Sequence, residues 1–192
     1  MQSKEEKRIE ILQAAVKVFS EAGFEGAKIE DIAKEAGIGK GTVYEYFDSK
    51  TTLFQEMFRY TVEKYREGQM QALAQGDDFR EKLINFSKYH ADYLREHLDV
   101  VNTSALSLSL SEELRSQLMR EWTLITRTLE DMVQEAIQNG ELRANVDKEM
   151  AAACIMGSIK HYIAKKVFMD KVPPQDIDHA GMVKLILTGL VW

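Results

Sequence analysis

The chain has 192 residues and a mass of 22.0 kDa, is 45% hydrophobic and 29% charged, and carries a formal net charge of −6. That composition belongs to a globular protein with one or two domains and a core of ordinary size, and excludes a disordered or fibrous chain. No run approaches the ~18 uninterrupted apolar residues of a membrane helix, and a single cysteine, Cys154, excludes an intrachain disulfide framework.

The first eight residues hold no apolar signal core, and one cysteine suits a reducing compartment, so a cytoplasmic protein without a membrane partner is expected. Two prolines and abundant Ala, Leu, Glu, Lys and Met predict an all-α fold of about nine helices. The expected division is a three-helix domain over residues 1–50 and a larger helical domain over 51–192.

The first helix is expected over Lys4–Ala22, with Ile9, Leu12, Ala15, Val16 and Phe19 as its inward stripe and Gly23 as its stop. Phe24 packs beneath the second helix. That helix is short: it starts at Ile29, buries Ile29, Ile32, Ala33 and Ala36, and ends at Gly37 as a C′ glycine, with Ile38 dropping into the core. The third is the stretch Gly-Lys-Gly-Thr-Val-Tyr-Glu-Tyr-Phe, residues 39–47. Val43 and Phe47 share one face and anchor it, leaving Thr42, Tyr44, Glu45 and Tyr46 on other faces. Helix, glycine turn, helix is the helix-turn-helix arrangement, although an ordinary αα-hairpin has the same spacing. Lysines at both ends of the stretch, hydroxyls along it and free amides at its start suit a row of phosphates and favour DNA. Charge does not help this reading. Residues 1–50 carry eight Lys/Arg against ten Asp/Glu, −2, where a generic DNA binder is basic. Affinity must come from placed contacts and dimerisation, and non-specific binding should be weak.

Ala-Gly-Ile-Gly-Lys-Gly-Thr-Val-Tyr-Glu-Tyr-Phe-Asp-Ser-Lys, residues 36–50, resembles the signature of TetR/AcrR-family transcription regulators, and residues 8–23 resemble that family's first helix. The likeness spans about the first 55 residues. It implies a homodimeric, ligand-responsive repressor on a palindromic double-stranded DNA operator, with Lys40, Thr42, Tyr44, Tyr46 and Lys50 on backbone phosphates and Gly41 and Glu45 toward base edges. Two departures stand out. Lys28 occupies the place of a capping Thr or Ser, and Gly39 that of a serine. Both remove a side-chain cap or phosphate ligand, and Lys28 is expected to substitute as a phosphate contact.

After Asp48 and Ser49, either of which suits an N-cap, a fourth helix runs to about Ala74 with Leu53, Phe54, Met57, Phe58, Thr61, Val62 and Tyr65 at helical spacing. A fifth is expected over Phe79–His97. Residues 98–110 read as a short helix and turn. Ser111 opens a long helix to about Asn139, stopped by Gly140. Another covers Asp147–Met169, and the last comes after Pro173-Pro174, over about residues 176–191.

No histidine pair has metal spacing, and no phosphate loop or nucleophile elbow occurs, so no catalytic residue, metal or cofactor is expected and the chain is not read as an enzyme. Cys154, amid Ala and Ile, reads as a small buried hydrophobe, with a reactive thiol sensor as the alternative. Phe86, Tyr89, His90, Tyr93, Met119, Trp122, Ile125, Met156, His161 and Tyr162 fall on inferred inner faces of successive helices. They form either a core with satisfied Tyr and His or a pocket for a small apolar or amphipathic effector. The resemblance, which implies an inducer site, favours the pocket. Glu113-Leu-Arg…Glu135-Ala-Ile-Gln-Asn-Gly-Glu-Leu…Asp147 is similar to regulators that sense fatty acyl compounds. Ala153, Gly157, Met182, Leu185, Ile186 and Gly189 give the last two helices more apolar surface than one core needs. Either they close the monomer core, or two helices from each subunit make a four-helix bundle about a two-fold axis. The competing functional reading is a helical adaptor without DNA binding.

Overall fold

The computed structural model describes residues 3–97 and 112–189. The described residues form eight α-helices and no strand: α1 Lys4–Gly26, α2 Ile29–Glu35, α3 Lys40–Tyr46, α4 Lys50–Ala74, α5 Phe79–Glu96, α6 Glu112–Gln138, α7 Lys148–Ala164 and α8 His179–Thr188. A π-helical turn, Lys165–Met169, extends α7, and a 3-10 turn, Pro174–Asp176, precedes α8. The ninth expected helix, within 98–110, and the expected Ser111 cap lie outside the described residues.

The helices begin and end where local chemistry dictates. Ser3 and Glu6 close a capping box on α1, each side chain bonded to the other's amide. Gly23 breaks α1 with φ 67°, a conformation that costs an L-residue energy and glycine little. Gly37, at φ 65°, closes α2 in a Schellman turn: the Ile38 amide donates to the Ala33 carbonyl at 2.9 Å and the Gly37 amide to Lys34 at 3.1 Å. Gly140 repeats the device after α6. The Ser49 hydroxyl accepts from the Thr52 amide at 3.0 Å, so Ser49 rather than Asp48 starts α4. Asp147 and Asp178 cap α7 and α8 in the same way.

The described residues divide into two compact units, 3–64 with 97 and 112–118, and 65–96 with 119–189. The first unit packs α1 on α2 and α2 on α3 around an apolar core. Phe19, Phe47, Ile11, Leu12, Ile32 and Leu53 are its largest fully buried side chains. Each such side chain contributes about 1.5–3 kcal/mol of burial free energy. Phe24 and Phe54 extend this core, Phe54 meeting both Phe19 and Phe24 edge-on at 5.1 Å. In the second unit α5 packs on α7 and α8, burying Leu83, Phe86, Ile155, Ile159, Ile163 and Val183. His179, buried at the start of α8, holds that packing: Ser87 lies 2.6 Å from its Nδ1 and the Pro174 carbonyl 3.1 Å from its Nε2. Burial lowers the basicity of this ring, so the neutral tautomer accepts from Ser87 and donates to Pro174.

Candidate functional site

Two regions concentrate chemistry. The first is the outer face of α2 and α3. Val43 and Phe47 are buried, which turns Lys40, Gly41, Tyr44 and Glu45 outward. Tyr44 is 45% exposed, a large fraction for a tyrosine beside an aromatic core. Thr42 and Tyr46 are half-buried, and the Lys4 ammonium lies 5.9 Å from the Tyr46 ring centre. The caps expected to be missing are missing: neither Lys28 before α2 nor Gly39 before α3 makes a side-chain cap bond. A side chain at Gly39 or Gly41 would meet open space.

The lysines of this face are not idle. Lys40 Nζ lies 2.6 Å from Glu30 Oε1, with both side chains more than half exposed. That carboxylate raises the lysine's pKa and is itself held below the usual carboxylate range by Lys40. Lys50, the first residue of α4, donates to the Glu25 carbonyl at 3.2 Å and sits 4.8 Å above the Phe24 ring. It therefore ties the start of α4 to the end of α1. A phosphate at either lysine would replace an existing intramolecular partner.

The second region is the polar interior of the second unit. The Tyr65 hydroxyl of α4 lies 2.5 Å from Nδ1 of His90 on α5. The Tyr65 ring is 4.3 Å from that of Tyr93 and 6.1 Å from that of Tyr89. Lys160 of α7 places its ammonium 5.6 Å from the Tyr65 ring centre, a cation–π distance. One turn along α4 from Tyr65, Gln69 is 2% exposed. Its amide nitrogen makes no hydrogen bond of good geometry, while the side chain is close enough to the Tyr65 hydroxyl to oppose the rise in its pKa.

Burial dominates the electrostatics here. It drives His90 down to about 3, helped by the Lys160 charge and opposed by a hydrogen bond to the Lys160 main chain. The ring is therefore neutral at physiological pH, accepting from Tyr65 through Nδ1. Burial also raises all three tyrosines, Tyr89 to about 12, and lowers Lys160. Gly68 makes room for this arrangement, since a β-carbon there would collide with the Tyr89 hydroxyl.

Of the residues read from the sequence as pocket-lining, Phe86, His90, Ile125 and Met156 are buried in this unit, and Tyr89, Tyr93 and Tyr162 are half-buried. Met119, Trp122 and His161 are corrected: they are exposed, Met119 and Trp122 by 59% and 54%. The inward line of α6 runs at four-residue steps through Gln117, Glu121, Ile125, Leu129 and Val133, so its first two members are polar. Gln117 accepts from Arg59 Nε at 3.1 Å, and Glu121 lies 2.5 Å from Arg66 Nε. Choosing the hydrophobic residues of that stretch chooses the wrong face. Cys154 is likewise exposed rather than buried, because α7 turns Ala152, Ile155, Met156 and Ile159 inward and Ala153, Cys154, Gly157 and Ser158 outward. Sequence reasoning misses Tyr65, Gln69 and Lys160 as site residues. Their signal is a polar side chain interrupting an apolar helical stripe: Gln69 four residues after Tyr65, and Lys160 beside Ile159 and four residues after Met156.

Residues 11–57 match the family model of the bacterial regulatory proteins of the tetR family, and residues 99–180 match a tetracyclin repressor-like C-terminal domain. The chain is 30% identical over 148 residues to the helix-turn-helix transcriptional regulator YfiR of Bacillus subtilis, covering 73% of this chain and 70% of that one. The chain belongs to the TetR family. As a TetR-family protein it is a DNA-binding transcriptional regulator, and its relatives are regulators rather than enzymes. It is also 27% identical over 191 residues to the fatty acid metabolism regulator protein of Bacillus subtilis, covering 99% of this chain and 98% of the relative. The crystal structure of the Bacillus subtilis regulator FadR in complex with stearoyl-CoA superposes with a TM-score of 0.70 at 26% identity, covering 95% of this chain and 99% of that one. No helix among the described residues is long and apolar enough to cross a membrane, and none of their His, Cys, Asp and Glu residues group as a metal site.

Proposed function

We propose that this TetR-family regulator is a homodimeric repressor that leaves a palindromic operator when a fatty acyl compound binds its C-terminal region. Residues 1–50 supply the DNA-binding domain, and residues 51–192 supply effector binding and dimerisation. The observation that carries the DNA assignment is the outward face of α3, with Lys40, Gly41, Tyr44 and Glu45 exposed over a buried Val43 and Phe47. Lys28, Lys40, Thr42, Tyr44, Tyr46 and Lys50, with the open backbone at Gly39, contact phosphates and set register. Glu45 and Gly41 face base edges. Two such helices stand about one DNA turn apart, roughly 34–36 Å, to read two half-sites.

Dimerisation uses the outward small-residue face of α7, which includes Ala153 and Gly157, together with Met182, Leu185, Ile186 and Gly189 at α8. Leu185 is 51% exposed in the single chain, and a β-carbon at Gly157 would meet nothing within 4 Å. The acyl class of effector is supported by likeness along nearly the whole chain to a fatty acid metabolism regulator and to a structure holding stearoyl-CoA. The helix α4 carries both Lys50 and Tyr65, so a ligand at one end has a continuous element through which to act. It shifts operator affinity only by its preference for one conformation over the other.

The test selects operator DNA from random duplexes with the purified protein, then follows binding by fluorescence anisotropy while hexadecanoate or hexadecanoyl-CoA is added. Release at micromolar effector and a dimer by sedimentation are expected. Operator binding indifferent to every chain length tried removes the acyl effector. A monomer on half-site DNA removes the two-fold reading.

A further inference from the structure

The polar cluster of the second unit does not close upon itself. The Tyr65 hydroxyl donates to His90 Nδ1, and the Lys160 main chain supplies a further hydrogen-bond partner to the same histidine, so Tyr65 and His90 satisfy each other as neutral groups. Two groups are left over. Lys160 is partly buried, and no carboxylate among the described residues pairs with it; its neighbour is the Tyr65 ring. Gln69, 2% exposed, has an amide nitrogen without an acceptor. Buried polar groups in native proteins are nearly always partnered, and a partly buried ammonium without a counter-ion is costly. Both leftover groups are donors. What completes the cluster is therefore an acceptor, and beside an ammonium it is one that carries negative charge.

The number of charges narrows its identity. One lysine and neutral donors match one negative charge. A group of several phosphates would leave most of its charge uncompensated, and an uncharged carbonyl would leave Lys160 without a counter-ion. The Tyr65 ring stands beside these donors with the Tyr93 ring 4.3 Å from it, and Phe86, Met156 and Ile159 are buried in the same unit. The surroundings suit the first carbons of an apolar chain more than a sugar or a nucleotide.

We propose that Lys160 and Gln69, framed by Tyr65 and Tyr93, form a carboxylate site that receives the head group of a free long-chain fatty acid. The proposal rests on the acyl reading of the effector and narrows it: the effector of this chain is the acid rather than its thioester. Lys160 supplies the counter-charge, Gln69 the second donor, and the Tyr65 ring holds the ammonium in place.

The test uses the full chain and isothermal titration with hexadecanoate, hexadecanol and hexadecanoyl-CoA, on wild type, Lys160→Met, Lys160→Arg and Gln69→Leu, each checked for fold by circular dichroism. Wild type is expected to prefer hexadecanoate to hexadecanol by about tenfold or more, the scale of a charge-assisted hydrogen bond. Lys160→Met should lose about tenfold for the acid and nothing for the alcohol, Lys160→Arg should keep most of the affinity, and Gln69→Leu should lose roughly threefold. Unchanged hexadecanoate affinity in Lys160→Met overturns the site. Should Lys160→Met not fold, an unchanged affinity in Gln69→Leu does the same. Binding of hexadecanoyl-CoA but not of the free acid keeps the acyl reading and overturns the carboxylate. If wild type binds none of the three, the acyl reading and the site fall together.

Discussion

The core beneath α3 and the interior between α4, α5 and α7 solve opposite problems. Around α1–α3 every large buried side chain is apolar, from Ile11 and Phe19 to Val43 and Phe47, and the polar groups stand outside. In the second unit Gln69 and His90 are as buried as their apolar neighbours, and Lys160 is partly so. A dry, fully packed core holds an exposed helix in one orientation, which suits a surface that must match the spacing of phosphates. An interior with unsatisfied donors is less stable than an apolar one of equal volume. On the function proposed above, that cost is offset by recognition of the effector from inside.

The comparison breaks first, and hardest, at Phe47. This side chain is 2% exposed beneath α3, so Phe47→Ala should cost about 3–5 kcal/mol, read as a lowered denaturant midpoint. A loss below about 1 kcal/mol would mean that the α3 core is not a rigid platform.

The polar interior is sharpened by acid. His90 is held near 3 in the folded chain against 6.5 for an ordinary histidine. Below about pH 6.5 the unfolded chain takes up a proton that the folded one refuses, so stability falls with falling pH by up to about 1.4 kcal/mol per unit from this group. His90→Asn, which keeps an acceptor for Tyr65, should flatten that limb between about pH 6.5 and 5 in denaturation curves. An unaltered slope places the acid sensitivity elsewhere.

The α3 surface is expected to respond the other way round. Tyr44→Ala should leave stability within about 0.5 kcal/mol and lower operator affinity by about tenfold, roughly 1.4 kcal/mol. Unchanged anisotropy titrations would sink the contact. The smallest effect belongs to the absent cap. Lys28 has the extended backbone of an N-cap, φ −116° and ψ 146°, but makes no cap bond. Lys28→Thr should add about 1 kcal/mol, seen as a rise in the unfolding temperature, and a fall would mean that Lys28 does structural work.

These two regions also differ in how legible they are in the sequence. The helix-turn-helix can be read from spacing because each of its decisions is local: Val43 and Phe47 four apart, Gly37 at a left-handed turn, Gly23 at a break. The helix limits of α4 and α5 and the Gly140 stop follow from the same rules. The interior of the second unit cannot be read that way. The inward line on α6 starts with Gln117 and Glu121, which are held by Arg59 and Arg66 on a distant stretch of chain. A hydrophobic-face rule prefers Met119 and Trp122, and the fold turns both outward. Cys154 misleads for the same reason, since Ala and Ile surround it in sequence while α7 sorts them to opposite faces. Tyr65 and Gln69 of α4, His90 of α5 and Lys160 of α7 come together only because three helices do.

Gly68 has a consequence for how this site can diverge. The missing side chain is what lets the Tyr89 hydroxyl lie against α4. Any larger residue there displaces the tip of one ring and leaves the helix, its capping and the apolar core of α1–α3 untouched. Alanine or serine at position 68 therefore reshapes the packing around Tyr89 in one step. If the effector reading proposed above holds, a regulator recruited as a biosensor would have its ligand preference altered first at that position, because new shapes can be screened there without rebuilding the scaffold.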